Sequence, residues 1–168
     1  MTRRVAILGL GRRGTAFARA FHAAGWQVTG FDPDPATGPG TELGRDWRRE
    51  ATISGTVSRA DWLVLCLPER IELLRKVIQR AQAEARDDAI VAVVTRDTDA
   101  EAVQGCALRP AYVLRVGLGE AGALLVDTTA ATAGTVRTEV KSVLAVLAAP
   151  GALELPDDAD QSPAAESA

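Results

Sequence analysis

Histidine and cysteine are scarce in this chain of 168 residues, which has one histidine and two cysteines. A single histidine excludes a metal centre built from several histidines, and it leaves His22 as the only base for a Ser–His or Cys–His pair. His22 falls on a predicted helix, off the apolar side of that helix, so we expect it to face solvent. Two cysteines do not make a disulfide framework or a metal site. Cys66 lies in an apolar run, where a small buried side chain is expected.

The chain also lacks an excess of charge and a long apolar run. Its 19 Lys and Arg residues stand against 22 Asp and Glu residues, for a formal net charge of −3. This balance does not favour binding to nucleic acid or to an anionic membrane. No apolar run reaches the length of a membrane-spanning helix, and the amino terminus carries no recognisable secretory signal. We therefore expect a cytoplasmic protein.

The most informative feature that is present is a glycine-rich segment, Gly9–Gly14, which reads G-L-G-R-R-G. It follows Val5–Leu8, an apolar run typical of a strand that is buried on both faces. After it, small and aromatic residues recur at helical spacing and form one apolar side. A second predicted strand, Gln27–Phe31, then leads into Asp32. This order of strand, glycine-rich turn, helix, strand and acid indicates a dinucleotide-binding site.

Each glycine has a physical role in that interpretation. Gly9 permits a tight turn, Gly11 lets the backbone approach a pyrophosphate, and Gly14 lets the helix pack closely on the strand. The start of the helix offers N–H groups and the positive end of its dipole to the phosphates. Asp32 can accept two hydrogen bonds from a ribose diol and would repel a 2′-phosphate, so NAD is predicted in preference to NADP.

Leu10, Arg12 and Arg13 complete the predicted cofactor loop. Two interpretations of the arginines stay open: they pair with phosphate oxygens, or they are solvated side chains that the helix dipole slightly disfavours. The alternative to a nucleotide site is a related fold that keeps the turn and binds no ligand.

Predicted strands and helices alternate along the rest of the chain. Two loops are predicted, one at 33–40 and a mobile one that contains glycine at 117–122. Strands are predicted at 51–53 (weak), 62–67, 89–95, 112–116, 123–127 and 152–155, the last of which closes the domain. Helices are predicted at 69–85 and 135–148. This alternation predicts an α/β fold, namely a doubly wound, mostly parallel sheet of the Rossmann type in three αβα layers. We expect a single dinucleotide-binding domain over residues 1–155. Residues 156–168 are acidic and alanine-rich, and they predict a disordered tail.

Ligands of such sheets bind beyond the carboxyl ends of the strands, where the strand order reverses. Leu67 and Pro68 end one of the later predicted strands, and Thr95 ends the next. We therefore expect these three residues to border the same crevice as the glycine-rich loop.

A resemblance to known enzymes rests on two stretches, V-A-I-L-G-L-G-R-R-G-T-A-F-A-R-A-F and A-D-W-L-V-L-C-L-P-E-R. They resemble the nucleotide-binding domain shared by prephenate dehydrogenases and β-hydroxyacid (6-phosphogluconate-type) dehydrogenases. The resemblance implies that Gly9, Gly11, Gly14 and Asp32 bind the cofactor. It also implies that Leu67 and Pro68 belong to the loop that runs past the ribose next to the pyrophosphate. Thr95 would lie near the nicotinamide.

The chain departs from that group in its catalytic residues. Prephenate dehydrogenases carry a His-Pro-Met stretch after the sixth strand, and the corresponding stretch here is Arg115-Val116-Gly117. Arg115 can bind a small substrate carboxylate, but it cannot act as a general base near neutral pH. Enzymes of the group also continue into a helical second domain. We therefore expect a homodimer mate or a helical partner protein to complete any active site.

Two functions stay open. One is an NAD-dependent oxidoreductase that acts on a small hydroxy or imino acid. The other is a non-catalytic dinucleotide-binding module, such as a degenerate relative, a subunit or a sensor of NAD(H). The sequence identifies no catalytic residue for the first.

Overall fold

The computed structural model describes residues 2–120, 123–148 and 151–155. Its strands are β1 (Arg4–Leu8), β2 (Gln27–Phe31), β3 (Trp47–Arg49), β4 (Trp62–Leu65), β5 (Ile90–Thr95), β6 (Val113–Leu118) and β7 (Leu124–Asp127). Its α-helices are α1 (Arg12–Ala23), α2 (Ile53–Val57), α3 (Ile71–Glu84), α4 (Ala100–Gly105) and α5 (Gly134–Leu147). Short 3₁₀ helices span Thr41–Asp46 and Pro110–Tyr112.

The strands form one sheet of seven in the order β3-β2-β1-β4-β5-β6-β7. All neighbouring pairs are parallel except β6 and β7, which are antiparallel. The order reverses beside β1, whose Ile7 pairs with Gly30 of β2 on one side and with Val64 of β4 on the other. The predicted doubly wound, mostly parallel sheet is confirmed, and its reversal point lies at the strand that precedes the glycine-rich loop.

Helices cover both faces of the sheet. Alternate residues of a strand point to opposite faces, so Val5 and Ile7 belong to one buried cluster while Ala6 and Leu8 belong to the other. The first cluster contains residues of α1 and α5, and the second contains residues of α2, α3 and α4. All of these strand residues are at most 1% exposed, as expected for a parallel strand between two helical layers. The predicted three-layer architecture is confirmed.

The predicted weak strand at 51–53 is wrong. Thr52 instead caps α2, because its hydroxyl oxygen accepts the N–H of Gly55 at 2.9 Å, and the helix begins at Ile53. The strand lies earlier, as β3, and pairs with β2 at the edge of the sheet. Two of its three residues are arginines, so it has no apolar pattern by which the sequence could reveal it.

The other differences lie in the second half of the chain. Helix α4 was not predicted: Asp99 caps it by accepting the N–H of Ala102 at 2.8 Å. The predicted mobile loop begins inside β6, since Gly117 pairs with Thr95 of β5, and residues 121–122 lie outside the described residues. The predicted closing strand at 152–155 is absent from the described ranges, where this segment is irregular. Leu153 and Leu155 pack on the core without joining the sheet. The predicted tail at 156–168 lies outside the described residues.

A buried amide connects α4 to the segments on either side of it. Gln104 is 6% exposed, and its Nε2 donates to the carbonyl oxygens of Val113 at 3.1 Å and Pro110 at 3.3 Å. Its Oε1 accepts the hydroxyl of Thr129 at 2.6 Å. The side chain therefore satisfies the buried carbonyl group of Val113 and ties α4 to the segments before and after β6.

We expect Gln104→Met to lower the free energy of unfolding by about 1–3 kcal/mol, because the substitution removes the side-chain donor to the buried carbonyl group of Val113 and the acceptor of the Thr129 hydroxyl. Urea denaturation monitored by circular dichroism measures the change. Gln27→Met is the matched control, because Gln27 is exposed on β2 and such surface substitutions cost less than about 0.5 kcal/mol. Equal stability of the two variants would contradict this role of Gln104.

Candidate dinucleotide site

The glycine-rich loop lies at the carboxyl edge of the sheet and is shaped by close backbone contacts. Gly9 has a φ of +92°, and a Cβ at this position would lie 2.2 Å from the carbonyl oxygen of Cys66. A Cβ at Gly14 would lie 1.7 Å from the carbonyl oxygen of Gly9. Both distances are far too short, so glycine at these two positions is required for the turn to form and for α1 to pack on β1.

Gly11 differs from the other two glycines, because no atom lies within 4 Å of the position where its Cβ would be. Its φ of −65° is open to any residue, so the fold itself does not require glycine here. Gly11 is the N-cap of α1 and has no capping side chain, and the first turn contains no acidic residue. The start of α1 therefore presents backbone N–H groups and a positive dipole end to a cleft that Glu154 and Leu155 also line.

Asp32 lies beside this loop and is held there by two backbone N–H groups. Its Oδ2 accepts the N–H of Leu10 at 2.7 Å, and its Oδ1 accepts the N–H of Asp34 at 2.8 Å. A carboxylate has about four lone-pair sites. Two remain to accept hydroxyl groups of a ligand that approaches from the open side.

Arg12 and Arg13 lie within the glycine-rich loop, and Cys66 lies beside it. Arg12 is exposed and lines a cleft of about 470 Å³ together with Gly11 and Gly38. Arg13 is half-buried and acts electrostatically on the thiol of Cys66. Burial raises the pKa of that thiol to about 12, although Arg13 partly opposes the shift. Cys66 was expected to be buried within the strand, but it follows β4 and is only partly buried, packing against the core as a neutral thiol.

The loop after β4 meets the loop after β5 through Glu69, which the sequence analysis did not single out. Its carboxylate accepts the N–H groups of Arg96, Asp97 and Thr98, the last two at 3.0 and 3.2 Å. Partial burial raises the pKa of Glu69, but these hydrogen bonds outweigh that effect and lower it overall. Glu69 therefore stays ionised and fixes the two loops relative to each other.

Leu67 and Pro68 lie where the sequence predicted them, after β4 at the carboxyl edge. A Cβ at Gly9 would lie 3.3 Å from a methyl group of Leu67, so this half-buried side chain contacts the glycine-rich loop. Pro68 is exposed and begins the segment that leads into α3.

Thr95 at the end of β5 and Arg115 within β6 form a hydrogen-bonded group. Thr95 is fully buried, and its hydroxyl oxygen accepts Arg115 Nε at 2.9 Å while the hydroxyl donates to the carbonyl oxygen of Thr98 at 2.6 Å. Arg115 Nη1 lies 2.6 Å from Asp127 Oδ2, and Nη2 donates to the carbonyl oxygen of Arg96. Asp127 was not predicted as a partner of Arg115. A substrate carboxylate at Arg115 would have to compete with Asp127 for this guanidinium.

His22 is half-buried near the carboxyl end of α1, at the opposite end of the helix from Gly11. It therefore lies away from the crevice. Within residues 2–120, 123–148 and 151–155, no group of three or more His, Cys, Asp or Glu side chains is arranged to hold a metal ion. No helix in the same ranges is both long and apolar enough to cross a membrane.

A second cavity, of about 750 Å³, lies at the opposite edge of the sheet, where the parallel strands begin. Charged side chains that line it pair with one another, as Arg86 does with Asp61 at 2.9 Å and Arg3 does with Glu139. This cavity has neither a glycine-rich turn nor the carboxyl ends of parallel strands, so it lacks the features that bind dinucleotides in such sheets.

Several solved structures with a similar fold are dehydrogenases. (S)-3-hydroxybutyryl-CoA dehydrogenase from Ralstonia eutropha superposes with a TM-score of 0.77 and 14% identity over 88% of this chain and 61% of that protein. 3-Hydroxyisobutyrate dehydrogenase from Mycobacterium tuberculosis gives a TM-score of 0.69 and 20% identity over 88% of this chain and 52% of that protein. At these identities the similarity shows the fold alone.

Sequence comparison gives a more specific result. The chain is 32% identical over 84 residues to D-lactate dehydrogenase from Treponema pallidum, which is 50% of this chain and 24% of that enzyme. It thus spans about a quarter of the length of that relative. The profile of a family described as D-isomer specific 2-hydroxyacid dehydrogenase, NAD binding domain, matches residues 1–98.

These findings confirm the predicted NAD-binding Rossmann domain, and they correct the finer resemblance. The family that matches is the 2-hydroxyacid dehydrogenase group and not the prephenate and β-hydroxyacid group. The two groups share the glycine-rich turn and the acid after the second strand, so those residues could not separate them. The chain belongs to the D-isomer specific 2-hydroxyacid dehydrogenase family, through its NAD-binding domain.

Proposed function

We propose that this chain is the cofactor-binding part of an oxidoreductase that moves a hydride between NAD and a small hydroxy or imino acid. One observation carries the proposal: the open space over Gly11 lies beside a carboxylate, Asp32, that backbone N–H groups hold in place. The membership of the NAD-binding family supports it, and the similarity to a D-lactate dehydrogenase favours a hydroxy acid.

The residues present fit NAD. In the proposed complex the first-turn N–H groups of α1 bind the pyrophosphate, and Gly11 leaves room for it. Asp32 accepts the hydroxyl groups of the adenosine ribose with its remaining lone pairs. Leu10, Arg12, Arg13, Leu67 and Pro68 border the bound cofactor. Thr95, predicted to lie there too, is fully buried and instead hydrogen-bonds to the loop after β5. NAD supplies the hydride-accepting ring, so the chain itself must bind, orient and exclude water.

A proton must also be moved when a hydroxy acid is oxidised, and this requires a general base. Among the described residues at the crevice, the Glu69 oxygens already accept three N–H groups, which lower the pKa of the carboxyl and make it a weak base, and Arg115 cannot accept a proton. His22 lies at the far end of α1. We therefore propose that the base comes from a further segment of the protein, a second copy of the chain or a helical partner.

The alternative function is a dinucleotide-binding module without turnover, such as a subunit or a sensor of NAD(H). The pairing of Arg115 with Asp127 favours it, because the guanidinium expected to bind a substrate carboxylate is already paired with an acid. Hydride transfer from a panel of 2-hydroxy acids to NAD, and from NADH to the matching 2-oxo acids, is measured by NADH absorbance at high protein concentration and separates the two. Turnover supports the oxidoreductase, and NADH binding without turnover by the assembled protein supports the module.

Gly11→Ala and Gly14→Ala test whether the loop is built for a ligand. We expect Gly11→Ala to leave the melting temperature within about 2 °C of the wild type, because its methyl group meets open space. The same methyl group would occupy the pyrophosphate position, so NADH affinity should fall roughly tenfold or more. Gly14→Ala should instead destabilise the fold by about 1–3 kcal/mol or more through steric overlap.

Thermal denaturation and NADH fluorescence titration measure these two effects. Gly14→Ala is the matched control, since it introduces the same methyl group three residues further along. NADH binding by Gly11→Ala with wild-type affinity would refute the proposed position of the pyrophosphate.

Asp32→Asn tests the ribose contact. The substitution keeps the shape of the side chain but removes its charge, and each charge-assisted hydrogen bond is worth about 1.5–3 kcal/mol. We expect NADH affinity to fall about tenfold or more, while the loss of repulsion narrows the preference over NADPH. Fluorescence titration with both cofactors gives the ratio of dissociation constants.

Asp88→Asn is the control, because it changes the net charge equally at the opposite edge of the sheet. It should leave the NADPH/NADH ratio unchanged. A ratio that Asp32→Asn also leaves unchanged would show that this carboxylate does not face the ribose.

A further inference from the structure

The turn that follows β2 is held by an arginine from the edge strand. Arg49 Nη1 donates to the carbonyl oxygen of Thr37 at 2.5 Å. Its Nη2 donates to the carbonyl oxygens of Asp34 at 2.6 Å and Asp32 at 3.0 Å. One guanidinium thus joins three carbonyl groups of the turn that carries the proposed ribose-binding carboxylate.

Packing of β3 fixes the position of this arginine. Arg49 pairs with Gly30 of β2, and the N–H of Glu50 donates to the carbonyl oxygen of Gly30 at 2.9 Å. A Cβ at Gly30 would lie 2.4 Å from the ring of Trp47, so the indole packs directly on the β2 backbone. Although the Arg49 side chain is exposed, the strand from which it extends is firmly placed.

The turn reaches the glycine-rich loop as well as Arg49. Gly38 has a φ of +101°, and a Cβ there would lie 3.3 Å from both Arg49 Nη1 and Leu10 Cδ1. Leu10 is the residue whose N–H is accepted by Asp32. Arg49, the turn and Leu10 therefore form one continuous set of contacts around the carboxylate.

We propose that Arg49 is a positioning residue that determines cofactor specificity at the ribose end. It holds the turn so that the Asp32 carboxylate stays at the Leu10 N–H, where it accepts a ribose diol and repels a 2′-phosphate. This inference rests on the proposed function, since it assumes that Asp32 faces the ribose. It assigns to Arg49 a role that its charge alone does not predict.

A cation this close to the ribose would by itself attract a 2′-phosphate and favour NADPH. In this chain the guanidinium donors are directed at backbone carbonyl groups, so the positioning effect and the charge effect oppose each other. Removal of Arg49 should narrow the preference for NADH if positioning dominates. The same change should widen that preference if Arg49 acts as a phosphate receptor.

Arg49→Gln and Arg49→Lys separate these effects. Glutamine removes the charge and the guanidinium fork, whereas lysine keeps the charge but cannot span three carbonyl oxygens with the same planar geometry. We expect both variants to lose roughly tenfold in NADH affinity, as for the loss of one charge-assisted hydrogen bond. NADPH affinity should change less. The ratio of the NADPH dissociation constant to the NADH dissociation constant therefore falls in both variants.

The measurements are fluorescence titrations with NADH and NADPH on folded protein, together with hydrogen–deuterium exchange of the peptide that covers residues 32–38. Faster exchange in that peptide without ligand is expected for both variants and does not depend on cofactor binding. Arg48→Gln is the matched control: Arg48 precedes Arg49 on the same strand, and its exposed side chain makes no hydrogen bond or ion pair within the described ranges.

Each result decides the inference. A ratio that falls in both Arg49 variants and stays unchanged in Arg48→Gln supports it. A ratio that rises in Arg49→Gln and stays at the wild-type value in Arg49→Lys identifies a phosphate receptor and overturns it. NADH binding with an unchanged ratio in both variants overturns the inference alone, whereas a wild-type protein that binds no NADH overturns the proposed function with it.

Discussion

The hydrogen bond between the Leu10 N–H and Asp32 Oδ2, 2.7 Å long, is the contact on which the organisation of the site depends. It joins the loop after β1 to the end of β2, and it fixes the distance between the start of α1 and the carboxylate. The bond forms only because Gly9 adopts a positive φ and because the Gly14 backbone approaches the Gly9 carbonyl group. A turn of this shape brings N–H donors and a fixed anion to one edge of the sheet.

The remainder of the fold keeps that edge in place. Strands β1, β2, β4 and β5 are parallel, so the loops that follow them lie at the same edge of the sheet. Glu69 connects two of these loops through backbone N–H groups, and Arg49 fixes a third through backbone carbonyl groups. Both side chains act on the backbone, so they shape the crevice whether or not they touch a ligand.

Local patterns in the sequence predicted the part of the site that depends on neighbouring residues. The spacing of Gly9 to Gly14 and the acid after the second apolar run were sufficient to predict that the glycine-rich loop and Asp32 lie side by side. Strand, turn and helix follow one another directly there, so the pattern is local. The pairs Arg115–Asp127 and Arg49–Asp34 were not predictable, because the partners lie 12 and 15 residues apart and no periodic pattern connects them. Strand β3 escaped detection for a related reason, since an exposed edge strand rich in arginine has no apolar face. The glycine motif also could not identify the family, because several dehydrogenase families share it.

The most direct measurement of the central claim is an NMR titration of the ¹⁵N-labelled chain with NAD. The account predicts that the largest amide shifts fall on residues 10–14 and on Asp34, whose N–H groups lie at the start of α1 and at the Asp32 carboxylate. Shifts confined to the opposite edge of the sheet, around Arg59 and Arg86 in the 750 Å³ cavity, would contradict it.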